Sequence, residues 1–151
     1  MKVRIKKLSD KAVVPQKAHA TDAGFDLVAT RKWYDEYGNI CYGTDLAFEI
    51  PCGFVGYIFP RSSNAKKQLI LSNSVGVIDS GYRGEVTLKF KPSIALDGEQ
   101  YVTTRLRYDT HNVGDRIGQL IIMPIPDIEF EEADELTETD RGEGGYGSSG
   151  R

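Results

Sequence analysis

Three observations predict an all-β domain, built as a barrel, a sandwich or a jelly roll. Apolar and polar residues alternate over short segments, which is the pattern of strands with one buried face. Turn-forming residues separate these segments, for example Asp22-Ala23-Gly24 and Asp97-Gly98. Only one short segment favours a helix. Many short strands with regular turn signals are typical of antiparallel folds that close or pair their sheets.

Eight segments are predicted as strands: residues 3–8, 25–30, 46–50, 54–59, 69–77, 86–90, 117–124 and 128–132. The segment 62–64 is predicted to cap a helical turn over residues 65–69. Residues 33–44 are predicted to form an additional hairpin, because Gly38-Asn39 supplies turn chemistry between aromatic-rich arms. This hairpin either contacts another subunit or lies on the surface with a partly covered aromatic face, and the second interpretation is favoured.

The bulk composition is that of one ordinary domain. A chain of 151 residues can bury a core without disulfides or metal. Cys41 and Cys52 are too few for a disulfide framework and are interpreted as small buried thiols. The net charge is −3, and Lys and Arg are scattered along the chain. This distribution argues against a nucleic acid polymer as partner, but it permits a nucleotide, which needs only a few placed cations.

The opening residues alternate between apolar and basic, unlike a signal peptide. No apolar run approaches the roughly 20 residues that span a bilayer. We therefore expect a soluble, cytoplasmic protein without a membrane partner.

The composition divides the chain into residues 1–140, a β-domain ending in an acidic linker, and residues 141–151, a Gly-rich arm. If the arm were only a flexible tail, that would account for its glycines. It does not explain Arg141 and Tyr146, which offer a phosphate fork and a flat face for a base. Such an arm could fold over a nucleotide and exclude water.

Three internal motifs carry candidate chemistry, and each alone also has a structural explanation. Residues 60–63 (PRSS) place a cation and two hydroxyls at a strand end, which suits an anion or an ordinary helix start. In residues 114–120, Gly114-Asp115 predicts a tight turn that leads into a strand, and Gln119 is polar among the apolar residues of that strand, either as a ligand donor or as a satisfied amide. Residues 76–85 predict a β-hairpin with Asp79 at its rim, where a carboxylate can deprotonate water or simply form an Asx turn.

Taken in order, these motifs resemble those of the trimeric dUTP pyrophosphatase (dUTPase) family. The five matching segments are residues 23–27 (AGFDL), 60–63 (PRSS), 73–84 (NSVGVIDSGYRG), 114–120 (GDRIGQL) and 141–150 (RGEGGYGSSG). Any one of them alone would be a weak signal, but together they span nearly the whole chain.

The resemblance implies a distorted jelly-roll-like β-barrel with one short helix, assembled as a homotrimer whose C-terminal arms are exchanged between subunits. It also implies hydrolysis of dUTP to dUMP, the dTMP precursor, and pyrophosphate by water attack on the α-phosphorus.

The resemblance further implies a role for each matched residue. Asp79 activates the water, Tyr82 supports the deoxyribose, and Asn73 with Gly76, Val77 and Ile78 reads the uracil. The implied phosphate contacts are Arg61, Ser62, Ser63 and Gln119, joined by Arg141, Gly147 and Ser148 of the arm. Tyr146 stacks on the base.

A Mg²⁺ cofactor is implied, held mainly by triphosphate oxygens and water. Asp26 lies near the metal's waters, or pairs structurally.

Some positions depart from the family pattern. Ser63 replaces a usual Gly, Tyr146 a usual Phe and Ser149 a usual Thr, and residues 33–44 are interpreted as a family-variable insertion. Two other functions remain open. One is a dCTP deaminase-like enzyme, although the position of its catalytic Glu corresponds to Lys89. The other is a nucleotide-binding or regulatory protein that has lost turnover.

Overall fold

The computed structural model describes residues 1–93, 96–97, 100–101 and 109–145. In these residues almost all of the regular secondary structure is β, as predicted. Its twelve strands are β1 Arg4–Lys7, β2 Phe25–Val28, β3 Arg31–Tyr34, β4 Ile40–Gly43, β5 Leu46–Glu49, β6 Phe54–Phe59, β7 Leu69–Leu71, β8 Gly76–Ile78, β9 Thr87–Pro92, β10 Leu96–Asp97, β11 Gln100–Tyr101 and β12 Arg116–Pro124. One 3-10 helix, Ser62–Lys67, follows β6.

Two four-stranded antiparallel sheets form the body of this jelly-roll-like fold. Their strand orders are β2-β12-β6-β8 and β3-β4-β9-β7, and β1-β5 and β10-β11 are separate pairs. One core cluster collects buried side chains from both sheets, so the sheets pack on each other. Gly118 on β12 faces Leu88 on β9 so closely that a Cβ would overlap the leucine side chain. Glycine at this position therefore permits close packing of the two sheets.

The predicted extra hairpin exists as β3 and β4, but it is not a surface insertion. Strand β4 pairs with β3 on one side and β9 on the other, and all four of its residues are buried. Tyr42 packs edge-on against Phe90 with ring centroids 5.8 Å apart. The interpretation as a partly covered surface hairpin is therefore wrong, because its second arm is an interior strand.

Cys41 is buried as predicted, but Cys52 is exposed, so its interpretation as a buried thiol was wrong. Three other local predictions were also wrong. The segment 69–77 is two strands, since Ser74 takes a left-handed φ of 60° and donates to the Leu71 carbonyl at 2.9 Å, closing a turn. The helix begins at Ser62 without a side-chain cap and ends at Lys67, before the left-handed Gln68. Residues 128–132 are not a strand, and Phe130 is 94% exposed.

The segment 76–85 is not a hairpin either. Strand β8 pairs with β6, whereas β9 pairs with β4 and β7 in the other sheet. The residues between β8 and β9 therefore cross from one sheet to the other.

Within the described residues, no helix is long and apolar enough to cross a membrane.

Candidate active site

A charged cluster lies where β2 meets β12. Asp26 is buried, and its two carboxylate oxygens lie 2.9 Å from Arg61 Nε and 3.1 Å from Arg116 Nη1. A register shift between Arg116 and Gly118 marks a β-bulge in β12. A bulge resets the alternation of a strand, so it allows Arg116 to share a face with Asp26. Two arginines on one carboxylate leave this cluster with net positive charge.

Gln119 lies on the same side of the sheet as Asp26. The two residues are direct partners in the β2–β12 pairing. Along the opposite edge of β12, Phe59 of β6 is the partner of Gln119. Gly24 packs against Gln119, because a Cβ there would lie 3.0 Å from the glutamine Cβ. A cavity of about 370 Å³ opens beside Asp26 and Arg116. Arg61, Arg116 and Gln119 thus present donors at one end of the sheet, which suits an anion.

The turn after Arg61 exposes two hydroxyls and buries one amide. Ser62 and Ser63 are exposed, whereas Asn64 is 4% exposed. Asn64 Nδ2 donates to the Leu69 carbonyl at 2.6 Å, and its Oδ1 lies 3.2 Å from His111 Nε2. Since Asn64 Oδ1 can only accept, the imidazole proton lies on Nε2. The Asn64–His111 pair therefore anchors the segment that carries Arg61, Ser62 and Ser63.

We expect His111 to make stability depend on pH. Burial, assisted by Lys67, lowers the pKa of His111 below 6.5, although Asp115 and Asp109 oppose the shift. The unfolded chain therefore takes up a proton that the folded chain resists, and the free energy of unfolding falls as pH drops through about 6.5. Unfolding in urea should show this loss between about pH 7.5 and pH 5.5.

His111→Gln keeps a donor for Asn64 but does not titrate, so this variant should lose that part of the pH dependence. His19→Gln, which changes the exposed histidine, is the matched control and should keep the parent's slope. A parent-like slope in His111→Gln would contradict the assignment.

The second group of predicted residues lies on and after β8. Gly76 is buried against Ile58, and a Cβ at Gly76 would lie 3.0 Å from the Ile58 Cβ and 3.7 Å from Asn73 Nδ2. The Asn73 amide thus lies beside the Gly76 backbone. Strand β8 is at the edge of its sheet, with β6 as its neighbour, and Val77 is 58% exposed. An edge strand presents backbone donors and acceptors to a ligand.

Asp79 and Tyr82 occupy the turn that follows β8. The Tyr82 N–H donates to the Asp79 carbonyl at 3.0 Å, and the Asp79 side chain is exposed. The Tyr82 hydroxyl donates to the Glu85 carbonyl at 3.0 Å, which folds the ring over Gly84. A Cβ at Gly84 would overlap the phenol. Glycine at position 84 is therefore what allows this tyrosine orientation.

Glu85 is itself fixed by the opposite sheet. Its carboxylate pairs with Arg31 and accepts from the Asp45 N–H at 2.9 Å. Arg31 Nε also lies 2.9 Å from Asp45 Oδ1. The hydrogen bonds that Arg31 donates to Glu85 and Asp45 raise the pKa of its guanidinium. Glu85, whose backbone carbonyl accepts from the Tyr82 hydroxyl, is thus held by a charged cluster that the motif did not predict.

The structure brings the predicted residues into two groups rather than one. Strand β6 separates β12, with Gln119, from β8, with Gly76, so the groups are about 10 Å apart. Among the described residues, no side-chain hydrogen bond or ion pair joins them. Arg141 Nε donates to the Gly144 carbonyl at 3.0 Å, within its own segment. Tyr146, Gly147 and Ser148 lie outside the described residues.

The residues that could hold a metal are few. In the part of the chain that the structure describes, no cluster of three or more His, Cys, Asp or Glu side chains could bind an ion. Asp26 is shared between two arginines, which is the structural pairing foreseen as its alternative role. This donor set suits a magnesium ion held through water and ligand oxygens, but not a protein cage.

Lys89 also has a defined partner. Its Nζ lies 3.0 Å from Asp35 Oδ2, in an ion pair between β9 and the β3–β4 turn. A cation at this position cannot act as a catalytic carboxylate. The geometry therefore gives no support to the deaminase alternative.

Comparison with known proteins identifies what this architecture is similar to. A family model described as dUTPase matches residues 10–150. The deoxyuridine 5'-triphosphate nucleotidohydrolase of Rhodococcus erythropolis is 39% identical over 155 residues, covering 99% of this chain and 87% of the relative. The mitochondrial enzyme of that name from Dictyostelium discoideum is 40% identical over 148 residues, covering 97% and 76%.

Two solved structures show the same fold. A mutant dUTPase of Staphylococcus bacteriophage 80alpha with dUpNHpp aligns with a TM-score of 0.80 and 30% identity, covering 99% of both chains. A mutant dUTPase from phage phi11 of S. aureus, described with a structural Mg(II) ion, aligns with a TM-score of 0.71 and 29% identity, covering 90% of this chain and 99% of that one.

Proposed function

The chain belongs to the dUTPase family, whose members hydrolyse dUTP to dUMP, and from that premise we propose that Asp79 activates the attacking water. The water oxygen bonds to the α-phosphorus as the bond from that phosphorus to the α–β bridging oxygen of dUTP breaks, and this oxygen leaves with the pyrophosphate. Asp79 takes the proton from the water. An exposed carboxylate at the end of an edge strand is accessible to such a water and to the nucleotide.

The observation that carries the proposal is the exposed edge of β8. Uracil pairs with the backbone of Gly76, Val77 and Ile78 much as a further strand would, and Asn73 adds a side-chain amide. Tyr82, fixed over Gly84, supports the deoxyribose and leaves no room for a 2'-hydroxyl. The Tyr82 hydroxyl bond to Glu85 supports this role, because it holds the ring in one orientation.

The positive cluster around Asp26 binds the phosphates. Arg61, Ser62, Ser63 and Gln119 are the predicted contacts, and their placement at one end of the sheet supports the assignment. Arg116 joins them because it shares Asp26 with Arg61. Charge-assisted donors of this kind stabilise the charge that develops on the departing pyrophosphate.

Magnesium is the proposed cofactor. It would be coordinated by triphosphate oxygens and water, with Asp26 reaching it only through water. When bound, the ion offsets negative charge and orients the phosphates. The ion pairs of Asp26 with Arg61 and Arg116 support an outer role, since both carboxylate oxygens already have cationic neighbours.

A homotrimer with shared sites is the proposed assembly. Within one chain, the residues proposed to read the base, on and after β8, lie apart from the residues proposed to bind the phosphates, around Asp26. This separation supports a site that a neighbouring subunit completes. The segment after β12 supports an exchanged arm: Ile128, Phe130 and Leu136 are 63%, 94% and 88% exposed. Apolar side chains at this level of exposure favour a partner surface. The arm would bring Arg141, Tyr146, Gly147 and Ser148 to a site on other subunits.

A substrate panel tests the reaction. We expect pyrophosphate release from dUTP with magnesium, and much slower release from dCTP, dTTP and UTP, because the β8 edge reads the base and Tyr82 excludes a ribose. Ammonia release from dCTP would indicate a deaminase, and dUTP binding without turnover an inactive binder. Equal turnover of UTP would contradict the role of Tyr82.

A further inference from the structure

A chain of polar contacts runs behind the turn of residues 72–75, which joins β7 to β8. Asn39 is 7% exposed, and its Oδ1 accepts from the Ser72 hydroxyl at 2.7 Å. Its Nδ2 donates to both carboxylate oxygens of Asp35, at 3.1 and 2.9 Å. The amide can therefore point its oxygen only toward Ser72.

Asp35 is a firm anchor for this amide. It also accepts from the backbone N–H of Asn39 at 2.9 Å and of Tyr37 at 3.1 Å, and pairs with Lys89 at 3.0 Å. Burial raises the pKa of Asp35, but the hydrogen bonds from Asn39 and Lys89 outweigh it and leave the pKa well below its usual range. The carboxylate consequently stays charged at neutral pH and fixes Asn39.

The other end of the chain is the turn itself. Ser72 N donates to the Lys89 carbonyl at 2.8 Å, so both the backbone and the hydroxyl of Ser72 are tied to the Asn39–Lys89 region. Asn73 follows directly, and Ser74 has the left-handed φ of 60°. An L-residue holds that conformation when its surroundings over-determine it. The Ser72 contacts supply part of that constraint.

Closing the β3–β4 turn does not require the bond to Ser72. The contacts of Asp35 with Tyr37 and Asn39 already satisfy that turn locally. The Asn39 oxygen instead reaches 33 residues along the chain to the residue before Asn73. A buried amide directed at an exposed turn is costly unless the bond is made. Its effect is to set the position of that turn.

We infer that Asn39 is a positioning residue for substrate recognition, which acts through the Ser72 hydroxyl to hold Asn73 and the start of β8 against the base. The inference rests on the proposed role of Asn73 as a uracil reader. It assigns base affinity and selectivity, but not the chemical step, to the Asn39–Ser72 hydrogen bond.

Ser72→Ala tests the inference at an exposed position. We expect the KM for dUTP and the inhibition constant of dUMP to rise by about five- to tenfold, because the Asn39 oxygen loses its donor. The kcat should change less than about twofold, and the preference for dUTP over dCTP should fall. Ser72→Thr keeps a hydroxyl and should restore all three values.

Ser93→Ala is the matched control. It removes a serine hydroxyl that donates to the Gln68 carbonyl at 3.0 Å, away from the turn, and should behave like the parent. In an Asn39→Ala background, Ser72→Ala should add little further loss, because the two residues share one bond.

Asn73→Ala separates the two possible failures. If it loses base selectivity while Ser72→Ala keeps the parent's KM and selectivity, the positioning role of Asn39 is overturned and the proposed function stands. If Asn73→Ala itself keeps the parent's selectivity, the uracil reader is wrong and this inference falls with it. Equal effects of Ser72→Ala and Ser93→Ala would also overturn the positioning role.

Discussion

Asp79→Asn is expected to lower kcat for dUTP by about 10²–10⁴-fold while nucleotide affinity stays close to that of the parent. The amide keeps the size of the carboxylate but cannot accept a proton from water. Single-turnover kinetics will give the rate of the chemical step, and titration with a non-hydrolysable dUTP analogue will give the affinity.

The split between rate and affinity follows from the position of Asp79. Its side chain is exposed at the end of β8, and the contact that defines its turn is the backbone bond to Tyr82 at 3.0 Å. Removing the charge therefore leaves the turn, Tyr82 and the β8 edge in place. A loss confined to the chemical step is the signature of an interaction made in the transition state.

Asp10→Asn is a suitable control, because it makes the same chemical change at an exposed position outside both residue groups. It should retain the parent's kcat. A tenfold or smaller loss in Asp79→Asn would mean that another group activates the water. A large loss of analogue affinity would mean that Asp79 binds the nucleotide instead of acting on water.

Most of the fold could be predicted from the sequence, because alternation reports which face of a strand is buried. Residues 54–59 form β6 as predicted, and β1, β2, β5, β9 and β12 differ from their predictions by at most two residues at either end. The strand predictions failed where an alternating segment has no partner strand or where a turn interrupts the segment. Residues 128–132 alternate well but have no neighbouring strand among the described residues, and a strand requires one.

The partners of a strand were harder to predict than its existence. Residues 76–85 have the sequence of a hairpin, yet β8 and β9 join different sheets. Pairing depends on contacts distant in sequence, such as β9 with β4, which alternation does not encode. The same limit explains the error at residues 33–44, whose second arm became an interior strand.

The motifs supplied the candidate site residues but not the residues that contact and hold them. Arg116 stood within a motif without a role, and only its ion pair with Asp26 shows that it belongs to the charged cluster. Asn39 bonds to Ser72 across 33 residues of sequence, and the Glu85 backbone carbonyl accepts from the Tyr82 hydroxyl. Motif spacing does not predict such contacts. A polar residue directly before an apolar strand, like Asn39 before Ile40, does indicate a side chain that needs a buried hydrogen-bond partner.

Deleting residues 141–151 is expected to leave a folded protein with kcat/KM for dUTP reduced by about 10²–10³-fold. Among the described residues the buried core ends within β12 and residues 125–143 are exposed, so we expect the β-domain to fold without the arm. What it removes is the proposed phosphate fork of Arg141 and the proposed stacking face of Tyr146. The midpoint of thermal unfolding and the number of subunits obtained from the solution mass should match those of the parent, while steady-state kinetics record the loss. Undiminished activity would show that the arm has no part in catalysis.

Mixing two inactive proteins tests whether the arm acts on another subunit. The deletion variant retains Asp79 but lacks the arm, and full-length Asp79→Asn retains the arm but lacks the activating carboxylate. Co-expressed in one assembly, they should recover a substantial fraction of parental activity, because an arm from the second protein can close over a site containing Asp79 from the first. Recovery cannot occur if each arm closes only over its own Asp79, since no chain then has both parts. Parent-level oligomers without recovered activity would therefore place the arm and Asp79 of each site in the same chain.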